Sequence, residues 1–347
     1  MKWSAAVACL VLLACTKPAA ESGVHVLRYA SPYPPGHPFS RADKTWIEHV
    51  EQASQGKLRF TIHWSGSLIS SDQSLIELRH GIADIGAIQP IYAKGGAHTL
   101  KTQAAFYAGA HTFEDQVQIY KCLSQRYAHL NNELKGLHIL AVQGGSLPGL
   151  VTRTAAIQTL ADLKGLRLRA PSELMPVLRD LGADPVNMPM SEVYSAMAKG
   201  VIDGVAAPPD ALRSLHLADV AKFYTALAIP RGAYPSRAIR NQALQALPQE
   251  LREVITGSAP VWEAALAREV LGAQQAGRNY AAERGMQWNE IPQREQEAFD
   301  RAYNTAAQAQ ARGLEEHGVP GDQIFHSAQA WISAGRRAGA VDCSGPG

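Results

Sequence analysis

Two short stretches constrain the fold more than any other feature of this chain. Gly81-Ile-Ala-Asp-Ile-Gly-Ala-Ile88 and Gly200-Val-Ile-Asp-Gly-Val-Ala-Ala207 each follow a stretch of helical periodicity. They share the leading glycine, the apolar residue after it and the Asp, and both continue into small and apolar residues. A glycine that closes a helix, followed by a run too short for another, describes the helix-to-strand half of a βαβ unit. Meeting that device twice predicts two similar α/β lobes. Their strand ends would face a shared crevice, which is where open α/β sheets place ligands. A chain of 347 residues has room for both.

The remaining periodicity fills in the lobes. Val24 to Ala30 alternates as a strand, the Pro/Gly-rich loop Ser31 to Pro38 forms a cleft rim, and Ser40 to Ser54 is a helix with Trp46, Ile47 and Val50 on one face. Leu58 to Trp64 is a second strand, and a helix from Ser70 ends at Gly81. Leu137 to Val142 is expected to cross between lobes, with Gly144-Gly145 as a hinge. Ser172 and Ser191 are expected to cap the helices carrying Leu174, Leu178 and Leu181, and Val193 and Met197. Ile229 to Asn241 returns to the first lobe. Pro248 to Arg284 is helical except at Gly257-Ser258, long enough to brace both lobes, and a strand Met286 to Ile291 and a helix Gln293 to Arg312 follow. The expected lobes are 24–146 with 231–274, and 147–230 with 275–335.

Composition excludes several classes. Charged residues make up 18% and the net charge is +2, which leaves no electrostatic footprint for nucleic acid. The apolar run Ala5 to Ala14 is too short to span a bilayer but suits a signal peptide. It ends in Leu12-Leu13-Ala14-Cys15, so residues 1–15 are expected to be a signal peptide ending in a lipobox cysteine, with acylation of Cys15 and a tether from Thr16 to Gly23. The alternative is a plain secretory signal cut after Ala14. Cys122 and Cys343 could oxidise into one bridge in an exported protein, but sequence does not bring them into bridging range, and two unpaired or weakly defined thiols are the expectation. The 12 histidines are scattered singly, without the spacing that makes metal ligands converge. No nucleophile elbow, phosphate loop or dinucleotide fingerprint is present, and nothing supplies a base to Ser146. The expectation is a protein without catalytic residues, metal or cofactor.

Binding residues can be argued. Gly165-Leu-Arg-Leu-Arg-Ala-Pro171 is a strand with Arg167 and Arg169 on one face, followed by Met188-Pro-Met-Ser-Glu-Val-Tyr194. An arginine at a strand end presents a rigid fork of donors suited to a carboxylate. Together with Gly56-Lys57, Gly81 to Asp84, Asp162 to Gly165 and Asn241 to Pro248, this order of motifs resembles the solute-binding proteins of tripartite ATP-independent periplasmic (TRAP) transporters, over nearly the whole mature chain. The resemblance implies an α/β, two-lobed periplasmic solute-binding fold with a hinge and a long bracing helix. It implies a receptor, expected to be monomeric and tethered in the periplasm, that delivers a small organic acid to a TRAP permease. Alternatives are a receptor for a hydrophobic or lipid-like ligand and a solute-binding protein of another importer class. Arg169 matches the family's carboxylate-gripping arginine, and Met190 stands where relatives lay an aromatic ring on the ligand. Gln89 matches a polar contact from the first lobe, Tyr33 is a further candidate on the rim loop, and Tyr194 matches a family tyrosine. The chain departs from the family at Val205-Ala206-Ala207-Pro208, where many relatives carry Gln-Glu-Asn-Pro, and it lacks a second arginine near Gly149. Sialic acid is thereby disfavoured. A smaller or more apolar acid suits walls made by Ala207, Met190 and Phe106 or Tyr107, with Asp210 or Arg213 restoring polarity.

Overall fold

The computed structural model describes residues 23–110 and 112–343. The expected signal peptide, Cys15 and most of the tether lie outside them. The strands in chain order are β1 (His25–Ala30), β2 (Leu58–His63), β3 (Ile85–Ala87), β4 (Leu137–Gln143), β5 (Gly149–Thr152), β6 (Arg167–Arg169), β7 (Asp184–Val186), β8 (Gly204–Ala207), β9 (Phe223–Ala226), β10 (Tyr234–Arg240) and β11 (Gln287–Glu290). They form a five-stranded sheet ordered β2-β1-β3-β10-β4 and a six-stranded sheet ordered β11-β9-β5-β8-β6-β7. In the first, β1, β2 and β3 are parallel and β10 enters antiparallel beside β3. In the second, β6, β7 and β8 are parallel and β5 enters antiparallel beside β8. The lobes repeat one plan.

The recurring Asp has a physical reason. Asp84 donates its N–H to the Arg28 carbonyl at 2.9 Å, and its Oδ2 accepts the Arg28 N–H at 3.0 Å. Asp203 does the same to Arg167, at 2.8 Å in both directions. Each Asp carbonyl also accepts an N–H from the antiparallel side, Arg240 in one lobe and Arg153 in the other. A carboxylate at this point satisfies a backbone donor of the neighbouring strand just where its pairing with the following strand begins. The preceding glycines, Gly81 at φ +79° and Gly200 at φ +72°, turn the chain through the left-handed region.

A 25-residue helix, Ala259–Glu283, runs across both lobes. Near its start Trp262 stacks on Trp46 of the helix Pro38–Ala53, with ring centroids 3.8 Å apart. Near its end Gly277 lets Pro209 and the following helix Asp210–Ser214 come close; a Cβ there would fall 1.9 Å from the Pro209 carbonyl oxygen. The expected break is real: Gln249–Gly257 is a separate helix, and Ser258 between the two accepts the Trp46 indole N–H at 2.7 Å.

Several expectations are corrected. Leu137 to Val142 does not cross between lobes; it lies in β4, paired with β10, and the chain crosses afterwards through Gly144 to Pro148. The two glycines stand in that crossing, as the hinge expectation has it, and both also allow close approach. A Cβ on Gly144 would lie 2.8 Å from Gln116 Oε1, and one on Gly145 would lie 2.4 Å from the Arg231 guanidinium carbon. Ser172 does not cap a helix: the helix begins at Met175, and the Ser172 hydroxyl accepts from the Asn187 side chain instead. Ser191 lies inside the helix Met190–Ala198, whose entry is set by Pro189. The cysteines are corrected too. Cys122 and Cys343 form a disulfide with Cα atoms 5.2 Å apart. A helix unread in the sequence, Gly321–Ala338, packs against the helix Phe113–Arg126, and Gly339 at φ +86° ends it, so that the tail reaches Cys122. A bridge across a separation of 221 residues removes much disorder from the unfolded chain; such closures typically contribute about 2–4 kcal/mol.

Candidate ligand-binding cleft

Where the strand ends of the two sheets converge there is a cavity of about 130 Å³. Arg169, the last residue of β6, is its deepest cationic group, with only 3% of its surface exposed. Its Nε–H donates to the Met188 carbonyl at 2.9 Å, and its Nη2 donates to the Tyr92 hydroxyl at 2.9 Å. Nη1 has no hydrogen-bond partner among the described residues. The guanidinium also lies 5.8 Å from the centre of the Tyr92 ring. Tyr92 belongs to the short helix Pro90–Tyr92 that follows β3. The two halves of the repeat therefore meet here: the strand end of one lobe supplies the arginine, and that of the other a tyrosine that holds it.

The other walls are mostly apolar and aromatic, including Tyr33, Phe39, Leu174, Met190 and Ile229. Tyr33 stacks on His37 with centroids 4.3 Å apart. Burial, together with Arg237 and Arg41, lowers the His37 imidazole to about 3, which keeps it neutral, and its Nδ1 accepts the Phe39 N–H as the cap of the helix Pro38–Ala53.

Four of the expected site residues, Arg169, Met190, Tyr33 and Asp210, line this cavity. Two do not. Gln89 is buried behind the wall, its N–H donating to the Ser74 hydroxyl, and the chain reaches the cavity only at Ile91 and Tyr92. Ala207 points to the other face of β8, packed with Val193, Met197 and Leu212, while Ala206 faces the cavity; the alternation of a strand separates them. Phe106 and Tyr107 are in the core, Tyr107 donating to the Ala233 carbonyl, and Tyr194 and Arg213 are exposed. The sequence reading missed Tyr92, Glu173 and Arg231. Glu173 was within reach, standing four residues after Arg169 on the chain that leaves β6.

Burial pushes the Glu173 carboxyl up to about 7, against the pull of Arg169. Asp210 is raised as well by burial, with Arg231 acting the other way. For Glu173 the ordinary value is 4.5, so between about 4.5 and about 7 the folded state keeps a proton that the unfolded chain has lost. Its contribution to stability is complete below that window, declines as pH rises through it, and is flat above. Glu173→Gln is expected to remove this decline, so the variant should gain on the wild type in melting temperature between pH 5 and pH 8. Equal shifts in both proteins across that range would contradict it.

The profile of the family described as "Bacterial extracellular solute-binding protein, family 7" matches residues 29–313. Among curated relatives, a solute-binding protein of Albidiferax ferrireducens is 26% identical over 196 residues, covering 53% of this chain and 54% of that one. The 2,3-diketo-L-gulonate-binding periplasmic protein YiaO of Escherichia coli is 29% identical over 154 residues, covering 42% and 46%. The chain thus spans about half the length of the curated relatives it matches. Among solved structures, a TRAP solute-binding protein of Rhodoferax ferrireducens with copurified benzoate superposes with a TM-score of 0.82 at 25% identity, covering 91% of this chain and 100% of that one. A marine metagenome TRAP solute-binding protein, specific for aromatic acids and bound to 3-hydroxybenzoate, gives 0.80 at 23% identity, covering 90% and 99%.

Proposed function

Because this chain belongs to the bacterial extracellular solute-binding proteins of family 7, we propose that it is a TRAP-type receptor that closes its lobes on a small, ring-bearing carboxylate. The observation that carries the reading is Arg169. A buried guanidinium with one free nitrogen, held in place by Met188 and Tyr92, is an anion site already oriented for its ligand. The apolar walls set the rest of the ligand. A cavity of about 130 Å³ is close to the roughly 150 Å³ engineered cavity that accepts benzene. The benzoate found with the Rhodoferax protein supports the same class. Family membership supports reading the protein as a transport receptor.

The lobes we take to close on the ligand are 24–146 with 231–274, and 147–230 with 275–335. The receptor would work as a monomer in the periplasm and deliver its ligand to a TRAP permease. Cleavage before Cys15 and its acylation would tether it to a membrane. Titration calorimetry against benzoate and the isosteric uncharged benzamide tests the ligand class. Benzoate should bind and benzamide should not; equal affinities would mean that the arginine serves the structure and the cavity takes neutral ligands.

A further inference from the structure

A carboxylate on Arg169 leaves the Asp210 carboxyl on the cavity wall without a task. Asp210 contributes to the wall, is 6% exposed, and its Oδ1 is buried with no hydrogen-bond partner among the described residues. An acceptor so placed repels a carboxylate, so it cannot share the anionic end of the ligand. Arg231, a cation on the same cavity wall, moderates the charge without a hydrogen bond to Oδ1. Its guanidinium packs over Gly145 and its Nη1 donates to the Ser146 carbonyl at 3.5 Å. The group is held rigidly as well. Asp210 opens the helix Asp210–Ser214, which is clamped against Gly277 of the long helix. A buried acceptor that costs free energy when left unpaired, standing in the wall of a ligand cavity, calls for a donor on the ligand.

We propose that Asp210 selects acids that carry a hydrogen-bond donor, a hydroxyl or amino substituent, in addition to the carboxylate. Oδ1 accepts from that substituent while Arg169 holds the carboxylate. An acid lacking the donor leaves the buried Oδ1 unpaired, so that ligand gains nothing there and is disfavoured against one that carries the donor. Sites built to hydrogen-bond a substrate hydroxyl discriminate far more sharply than apolar pockets do. This inference rests on the carboxylate-receptor reading above.

The test is calorimetry near neutral pH with benzoate, 3-hydroxybenzoate, 4-hydroxybenzoate and 3-aminobenzoate, on the wild type and on Asp210→Ala. At least one donor-bearing acid should bind the wild type about tenfold or more tighter than benzoate, and that ratio should fall towards one in the variant. If benzoate binds the wild type as tightly as the others, the inference fails and the carboxylate reading stands. A ratio that persists in the folded variant would place donor recognition elsewhere and overturn the role of Asp210. Should Asp210→Ala fail to fold, Asp210→Asn replaces it; the loss of charge should lower the ratio, and an unchanged ratio counts against the proposal. If none of the acids binds the wild type, the reading and the inference fall together.

Discussion

Arg169→Ala is expected to weaken binding of the carboxylate ligand by about 2–5 kcal/mol, some 30-fold to several thousand-fold, while the unliganded protein stays folded. The size follows from burial. A carboxylate in the closed cavity exchanges water for the free Nη1 and its neighbours, and without the guanidinium it is left desolvated and unpaired. The fold should tolerate the change because the arginine's own partners are one carbonyl and one tyrosine hydroxyl beside a cavity that water can enter. Arg169→Lys should recover only part of the affinity. An ammonium cannot hold the Met188 carbonyl, the Tyr92 hydroxyl and a ligand in one planar fork. Calorimetry, with a melting curve for each variant, separates the outcomes; unaltered affinity in Arg169→Ala would remove the arginine from the site.

A second large effect is expected in stability. Arg237 and Asp43 form an ion pair with Nε and Oδ1 2.7 Å apart and side chains only 2% and 0% exposed. Asp43 Oδ1 also accepts the Trp262 indole N–H at 2.9 Å. The pair therefore joins β10, the helix Pro38–Ala53 and the long helix at one point. Arg237→Ala leaves a buried carboxylate with no cation beside it and only the neutral Trp262 indole N–H donating to it, and is expected to cost about 3–5 kcal/mol. The double replacement Asp43→Leu with Arg237→Met should recover much of that loss, because it removes both charges and fills similar volume. Urea unfolding midpoints would measure it. A single variant as stable as the wild type would show that water or a rearranged side chain reaches Asp43.

The parts of the fold legible in the sequence were those written in local pattern. The two Gly-to-Asp stretches announce the two lobes because helix closure, strand start and the Asp bracket all lie within a few consecutive residues. The helix break at Gly257-Ser258 and the strand carrying Arg169 were readable for the same reason. What escaped depends on distant partners. Tyr92 reaches Arg169 only because two lobes face each other, and Ala206 rather than Ala207 faces the cavity only once the register of β8 against β5 is fixed. The Gly144-Gly145 pair reads as a hinge in sequence; that it also makes room for Gln116 and Arg231 is visible only in space. The disulfide was hidden behind a helix whose packing, not its composition, carries Cys343 to Cys122.

The order of strands in the first sheet has a consequence for how the molecule assembles. β10, at residues 234–240, lies between β3 and β4, whose residues all precede 144. Until that strand arrives, the centre of the sheet is vacant, and β4 has no neighbour to hold it against β1 to β3. Strands β5 to β9 sit together in the other sheet and are contiguous in the chain between the two halves of the first. The intervening lobe can therefore organise on nearby contacts, whereas the first sheet waits for pairings as distant as Arg237 with Ala87, a slow step by its topology. A polypeptide built this way leaves its first sheet open until β10 has been made, by which point the strands β5 to β9 of the second sheet already exist.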